Sequence, residues 1–111
     1  MNEPKIYLND ILESIERIEG YILGLSAMNF VDNFSIQDAV MRRLEIIGEA
    51  VKRLPDEIKN KYSSIPWKNI AGLRDILIHE YAGVQLERVW LTATKDLPPL
   101  KQVILELIDQ Q

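Results

Sequence analysis

The sequence contains no cysteine and a single histidine, His79, and these two shortages exclude several kinds of site. Without thiols there can be no disulfide, no cysteine nucleophile and no thiolate zinc site. One imidazole also cannot build a histidine-rich metal centre within one chain. We therefore expect no metal and no other cofactor.

Long apolar runs and an excess of positive charge are missing as well. No stretch approaches the roughly 18 apolar residues of a membrane span, and residues 1–5 lack the basic and then apolar pattern of a signal peptide. We expect no membrane association and a cytoplasmic location. The formal net charge of -4 predicts no general attraction to nucleic acid, so any contact with RNA must be local. Short basic clusters at Arg42-Arg43, Lys52-Arg53 and Lys59 with Lys61 are typical of a solvated surface.

The overall composition, with 47% hydrophobic and 27% charged residues, is typical of a globular protein, and the length predicts one folded domain over residues 1–111. Apolar side chains recur at spacings of three and four, which predicts helices over about 5–25, 35–54, 56–62, 67–81, 86–97 and 100–108. No alternating strand pattern accompanies them. We therefore expect an all-α fold, an up-and-down bundle of about four to five main helices.

Local signals suggest where these helices begin and end. Ser35-Ile36-Gln37-Asp38 has the form of a capping box with Asp in place of Glu, which predicts a helix start at Ser35. The polar residues 29–33 are predicted to be a connection, and Pro98-Pro99 should close the penultimate helix. Gly48, inside the second long helix, indicates that another helix approaches closely there.

One segment, residues 74–81, looks suited to chemistry. At about 100° per residue, Arg74 falls in the middle of an apolar helical stripe, where its cation needs carboxylates, phosphates or a groove. His79 lies about 140° away, close to Asp75 at i-4, whose carboxylate is placed to hold the imidazole. Arg74 and His79 can therefore meet one substrate only in a groove between helices or across a symmetric dimer.

Structural readings of the same residues remain open. Arg74 could form an ion pair with Glu45 or Glu49, His79 could cap a helix end, and Tyr81 could be an interface tyrosine. Glu45 and Glu49 repel each other at i, i+4, so a basic or metallic group should offset them. A carboxylate metal site is the less favoured of these, because no Glu-x-x-His pattern accompanies it.

Taken together, these residues resemble a known family. Arg74, four intervening residues, His79, one residue and Tyr81 resemble the Rx4HxY signature of the HEPN (higher eukaryotes and prokaryotes nucleotide-binding) superfamily, specifically its HepT toxins. The resemblance extends along the chain through Tyr7-Leu8-Asn9-Asp10-Ile11-Leu12, Leu44-Glu45-Ile46-Ile47-Gly48-Glu49-Ala50, Ile65-Pro66-Trp67 and Asp96-Leu97-Pro98.

The resemblance implies a HEPN-like bundle that forms a homodimer and acts as a metal-independent endoribonuclease on tRNA or mRNA. Arg74 would bind the scissile phosphate and His79 would be the general base or acid. An MNT-type nucleotidyltransferase antitoxin would silence the enzyme by transferring AMP to Tyr81. Many members have Asn after the arginine, whereas Asp75 here would repel phosphate, so Asp75, Glu45 and Glu49 are predicted to be supporting residues.

A second function fits the same resemblance. The chain could be a non-catalytic HEPN module that binds and docks a nucleotidyltransferase, with the motif holding the dimer or a nucleotide. The negative net charge favours this alternative, because an acidic surface is poorly suited to RNA.

Overall fold

The structure, a computed structural model, describes residues 3–79 and 85–110. These residues form α-helices and one π-helical segment, and no strand occurs among them. The helices are α1 (Glu3–Ile22), α2 (Ala27–Val31), α3 (Phe34–Arg53), α4 (Asp56–Lys61), α5 (Trp67–His79), α6 (Leu86–Leu91) and α7 (Leu97–Asp109), with the π-helical segment Thr92–Asp96 between the last two. The predicted all-α class is confirmed. Tyr81 lies outside the described residues.

Helix α3 lies at the centre of the bundle. It packs against α1 on one side and α5 on the other, and α1 also packs against α7. The predicted apolar stripes form these contacts: four residues of α1, Leu8, Ile11, Ile15 and Ile18, are completely buried. Among the described residues, no helix combines the length and apolarity that crossing a bilayer requires.

Two local predictions, the cap at Ser35 and the connection over residues 29–33, are wrong because the capping differs from the pattern. Helix α3 is capped by Asn33, whose side-chain oxygen accepts a hydrogen bond from the Ile36 backbone N–H at 3.0 Å, so Ser35 is not the cap. Residues 29–31 of the predicted connection belong to α2. Ser26 and Asn29 cap it reciprocally: each side-chain oxygen accepts from the other's backbone N–H, at 3.1 and 3.2 Å.

The two prolines near the C-terminus do not end a helix, contrary to the sequence-based expectation. They lie in the first turn of α7, and the chain enters that helix through the π-helical segment. Because proline has no N–H and its ring crowds the preceding turn, the wider π turn lets the helix continue. Thr92 and Thr94 hydroxyls donate to the carbonyls of Arg88 and Trp90, at 2.9 and 2.8 Å, and support this region.

The close approach predicted at Gly48 is confirmed. A Cβ atom built on Gly48 would overlap the Cβ of Arg74 and lie 3.2 Å from the carbonyl oxygen of Ile70, both on α5. Glycine thus lets α3 and α5 pack backbone against backbone at the level of Arg74.

This contact predicts opposite effects for two glycine substitutions. Gly48→Ala should lower the free energy of unfolding by about 1–3 kcal/mol, because α5 must shift to admit the methyl group. Gly72→Ala is the matched control: a Cβ at Gly72 meets nothing within 4 Å, so the better helix former should leave stability unchanged or raise it by up to about 1 kcal/mol. Urea denaturation of both variants checks this, and equal stabilities would contradict the packing role.

Candidate active site

Arg74 is held by two carboxylates at the middle of α5. Its side chain is 24% exposed, and its two terminal nitrogens pair with Glu49 Oε1 and Asp75 Oδ1, each at 3.0 Å. The third nitrogen, Nε, is buried and has no hydrogen-bond partner among the described residues. The guanidinium on the apolar stripe is therefore compensated by carboxylates, and Glu49, not Glu45, is the partner on α3.

Each of these carboxylates is shared with a second cation from α3. Lys52 Nζ lies 2.5 Å from Asp75 Oδ1, and Arg53 binds Glu49 Oε2 through Nε and a terminal nitrogen, both at 3.1 Å. The result is one chain of ion pairs, Lys52–Asp75–Arg74–Glu49–Arg53, with one more cation than carboxylates. We call this chain the charge network.

The network shifts the titration of its members. The hydrogen bond from Lys52, and then that from Arg74, hold the pKa of Asp75 below its usual value. The carboxylate of Glu49, and then the hydroxyl of Tyr7, raise the pKa of Arg53. Both shifts favour the charged forms of Asp75 and Arg53.

The network borders a groove of about 250 Å³ between α1, α3 and α5. Both glutamates in its lining face arginines: Arg74 and Arg53 bind Glu49, while Arg42 lies 3.7 Å from Glu45. The expected basic offset for the two glutamates is therefore provided by arginines. Apolar side chains fill the space between the charges, including Ile46, Ala50 and Ile78, and Tyr7 and Asp10 of α1 complete the lining.

His79 lies apart from this groove. It is the last residue of α5, is exposed, and does not belong to the groove lining. The bond expected between Asp75 and the imidazole is absent from the hydrogen bonds of residues 3–79 and 85–110, since Asp75 binds Lys52 and Arg74 instead. One chain therefore brings together Arg74, Asp75 and Glu49, and leaves His79 on another face, as the helical geometry predicts.

A metal site is not formed by the acidic residues of the described part of the chain. No group of three or more His, Asp or Glu side chains is placed there to hold an ion. Glu45 and Glu49 face arginines, which supply the positive charge that a metal would otherwise bring.

Comparison with known proteins gives the family. The family model described as ribonuclease HepT-like matches residues 11–107. The chain belongs to the HepT-like ribonuclease family. No solved structure matches it significantly.

Several HepT-like relatives are similar over most of this chain. A Methanocaldococcus jannaschii protein named as a gamma-glutamylcyclotransferase and, provisionally, an RNase is 52% identical over 97% of the chain. The chain spans about half of that protein, 49% of its length. A provisionally named RNase from Caldanaerobacter subterraneus subsp. tengcongensis is 43% identical over 100% of this chain and 99% of its own. A protein from Thermococcus cleftensis provisionally named ribonuclease HepT is 44% identical over 87% of this chain and 88% of its own.

Sequence reasoning missed three side chains that the HepT-like fold places at the site: Lys52, Arg53 and Tyr7. As consecutive basic residues, Lys52 and Arg53 are typical of a solvated surface, so the sequence alone does not assign them to the site. The i, i+4 spacing from Glu49 to Arg53 was a usable signal for one of these contacts. The contact from Lys52 to Asp75 joins different helices, so no local spacing indicates it.

The network predicts how Asp75 affects stability with pH. Because its folded pKa is lowered from 3.8, Asp75 stabilises the fold above that value, and this contribution is lost as the pH falls through the lower folded pKa. Asp75→Asn should therefore unfold more easily than the parent at about pH 6 and approach it near about pH 3. Asp109→Asn, an exposed change in the last turn of α7, is the control. Denaturant titrations across this range that keep a constant gap would contradict the assignment.

Proposed function

We propose that this chain is a metal-independent endoribonuclease that cuts tRNA or mRNA in the cytoplasm, as the toxin of a toxin-antitoxin pair. The observation that carries the proposal is the position of Arg74, whose guanidinium is fixed by two carboxylates at the edge of a groove. The same helix ends in the exposed His79. The RNase names of its HepT-like relatives point the same way.

The two side chains suit RNA cleavage without a metal. A base must remove the proton of the ribose 2′-hydroxyl, an acid must protonate the leaving 5′-oxygen, and a cation must stabilise the charge on phosphorus. His79 serves as base or acid and Arg74 as the cation. The 2′-oxygen bonds to phosphorus as the bond to the 5′-oxygen breaks, which leaves a 2′,3′-cyclic phosphate and a 5′-hydroxyl.

The charge network explains how a phosphate could reach an arginine that is already paired. A phosphate that binds Arg74 competes with Glu49 and Asp75 for its terminal nitrogens. Each carboxylate has a second cation, Arg53 or Lys52, to keep it compensated when Arg74 is withdrawn. Asp75 and Glu49 are thus supporting residues that position Arg74, and Glu45, paired with Arg42, borders the same groove.

A homodimer would complete the site. Within one chain His79 does not line the groove that Arg74 borders, so a second copy is needed to supply the complementary residue. Ile78 lines this groove and is 44% exposed, so it offers apolar surface that such an association would bury. A two-fold interface would give two sets of arginine and histidine.

The proposed regulation acts on Tyr81. An MNT-type nucleotidyltransferase would join the α-phosphate of ATP to the tyrosine oxygen and release pyrophosphate. Tyr81 follows His79 by two positions in the sequence, so the added AMP would bring a negative charge and a bulky nucleoside near the catalytic residue. RNA would then be excluded by charge and by size.

The competing function is a non-catalytic module that docks the nucleotidyltransferase. The observation that favours it is the net charge of -4, which weakens general attraction to RNA. In that case Arg74 would stabilise only the packing of α5 on α3.

Cleavage of RNA in the presence of EDTA separates the two functions. His79→Ala and Arg74→Ala should each reduce the rate by about 100-fold or more, because general acid–base and electrostatic contributions are of this size. Arg17→Ala, an exposed and ion-paired arginine on α1, should leave the rate unchanged. Equal cleavage by the His79 variant, or intact RNA with the parent, would leave only the docking module.

The same assay locates the two residues relative to the dimer. In a site composed from both chains, mixing Arg74→Ala with His79→Ala yields heterodimers with one intact site, so about a quarter of the parent rate should return. Sedimentation of the mixture establishes that dimers are present. Dimers without recovered activity would place both residues in a site within one chain.

Modification of Tyr81 is tested by mass. Incubation with the nucleotidyltransferase and ATP should add one or more AMP units, and Tyr81→Phe should abolish the addition because it removes the accepting oxygen. Tyr21→Phe, a half-buried tyrosine on α1, should be labelled like the parent. Persistent labelling of the Tyr81→Phe chain would refute the site.

A further inference from the structure

A second groove, larger than the first, lies beside the charge network. It has a volume of about 500 Å³ and runs between the end of α3, helix α4 and the start of α5. Three lysines line it, Lys52, Lys59 and Lys68, together with the polar side chains of Asn60 and Ser63. We call it the lysine groove.

The lysine groove is locally basic in an acidic protein. Residues 52–68 hold five basic and two acidic side chains, while the whole chain has a net charge of -4. Of the acidic side chains, Asp56 lines the groove and lies 4.0 Å from Lys59 Nζ. The positive charge of the chain is thus concentrated where a groove exists, which is the electrostatic pattern of an anion-binding surface.

The groove is linked to the proposed active site through Asp75. Lys52 lines it, and Lys52 Nζ and an Arg74 terminal nitrogen bind the same oxygen of Asp75, at 2.5 and 3.0 Å. The last cation of the groove and the cation proposed to bind the scissile phosphate are therefore neighbours. Phosphates bound along the groove at Lys52 would therefore be separated from Arg74 by one shared carboxylate.

We propose that the lysine groove binds the backbone phosphates of the RNA strand next to the scissile phosphate. The inference rests on the proposed function, because it assigns the strand that the active site cuts. The first turn of α5 adds to the field, since Trp67 and Lys68 lie in the groove and the positive end of the helix dipole faces an approaching phosphate.

The groove is built to hold the backbone and not to read bases. Trp67, its large aromatic residue, is only 6% exposed, and its indole N–H donates to the Tyr62 carbonyl oxygen at 3.0 Å. It therefore forms the floor and offers no free face for stacking. Binding of phosphates by the three lysines is independent of sequence and strongly dependent on salt.

Equilibrium binding of a labelled single-stranded RNA tests the groove. All chains carry His79→Ala to prevent cleavage. The double variant Lys59→Gln, Lys68→Gln should bind about 10-fold more weakly at about 0.1 M salt, and the slope of log affinity against log salt should shrink by about 1.4. Lys52 is left unchanged because it holds Asp75.

A matched control removes the same charge elsewhere. The double variant Lys5→Gln, Lys95→Gln changes two exposed lysines outside the groove, so it should keep the parental affinity and salt slope. Equal losses in both doubles would assign the effect to overall charge and overturn the inference, as would unchanged binding by the groove variant. If the groove double unfolds, the single variants should each show half of the change in salt slope.

These outcomes are separate from those of the proposed function. RNA that binds through Lys59 and Lys68 but is not cleaved by the parent would overturn the ribonuclease and leave the groove. If the parent cleaves RNA but binding does not depend on Lys59 and Lys68, the ribonuclease would stand and the lysine groove would be overturned.

Discussion

The site depends on the close packing of α3 and α5 at Gly48. Because this residue lacks a Cβ, the root of the Arg74 side chain lies directly over it. Glu49, the next residue along α3, is then within reach of the guanidinium at 3.0 Å. A bulkier residue would push α5 away and lengthen that ion pair. One missing methyl group thus fixes both the helix packing and the direction in which the arginine points.

Much of the fold could be predicted, because apolar spacing directly reflects which face of a helix is buried. The long helices α1, α3 and α5 follow from their stripes. Helix α2 and the π-helical segment could not, since each depends on a few hydrogen bonds. Asn29 completes a capping box where Glu or Gln is usual, and threonine hydroxyls support a turn widened by prolines. Such contacts leave no periodic signal.

The candidate site was predictable only in part, for a related reason. Helical geometry alone separates Arg74 from His79, and the apolar stripe demands carboxylates, phosphates or a groove for Arg74. The same geometry suggested that Asp75 would hold His79, yet Asp75 binds two permanent cations, Arg74 and Lys52. Lys52 comes from another helix, and the rotation of α3 against α5 decides that contact. The spacing of residues within one helix therefore cannot predict the contact between Lys52 and Asp75.

In the proposed function, the residues that would react with RNA and those that would hold it lie on different parts of the surface. In the charge network every cation already has a carboxylate partner, so a phosphate there competes with a carboxylate. Net attraction to RNA is therefore expected from cations that are less tightly paired with carboxylates, such as Lys59, which lies 4.0 Å from Asp56. Lys52 and Arg53 are consecutive on α3 and line different grooves, the first beside Lys59 and Lys68 and the second beside Arg74. Helix α3 thus divides a surface suited to holding a strand from one suited to reacting with it.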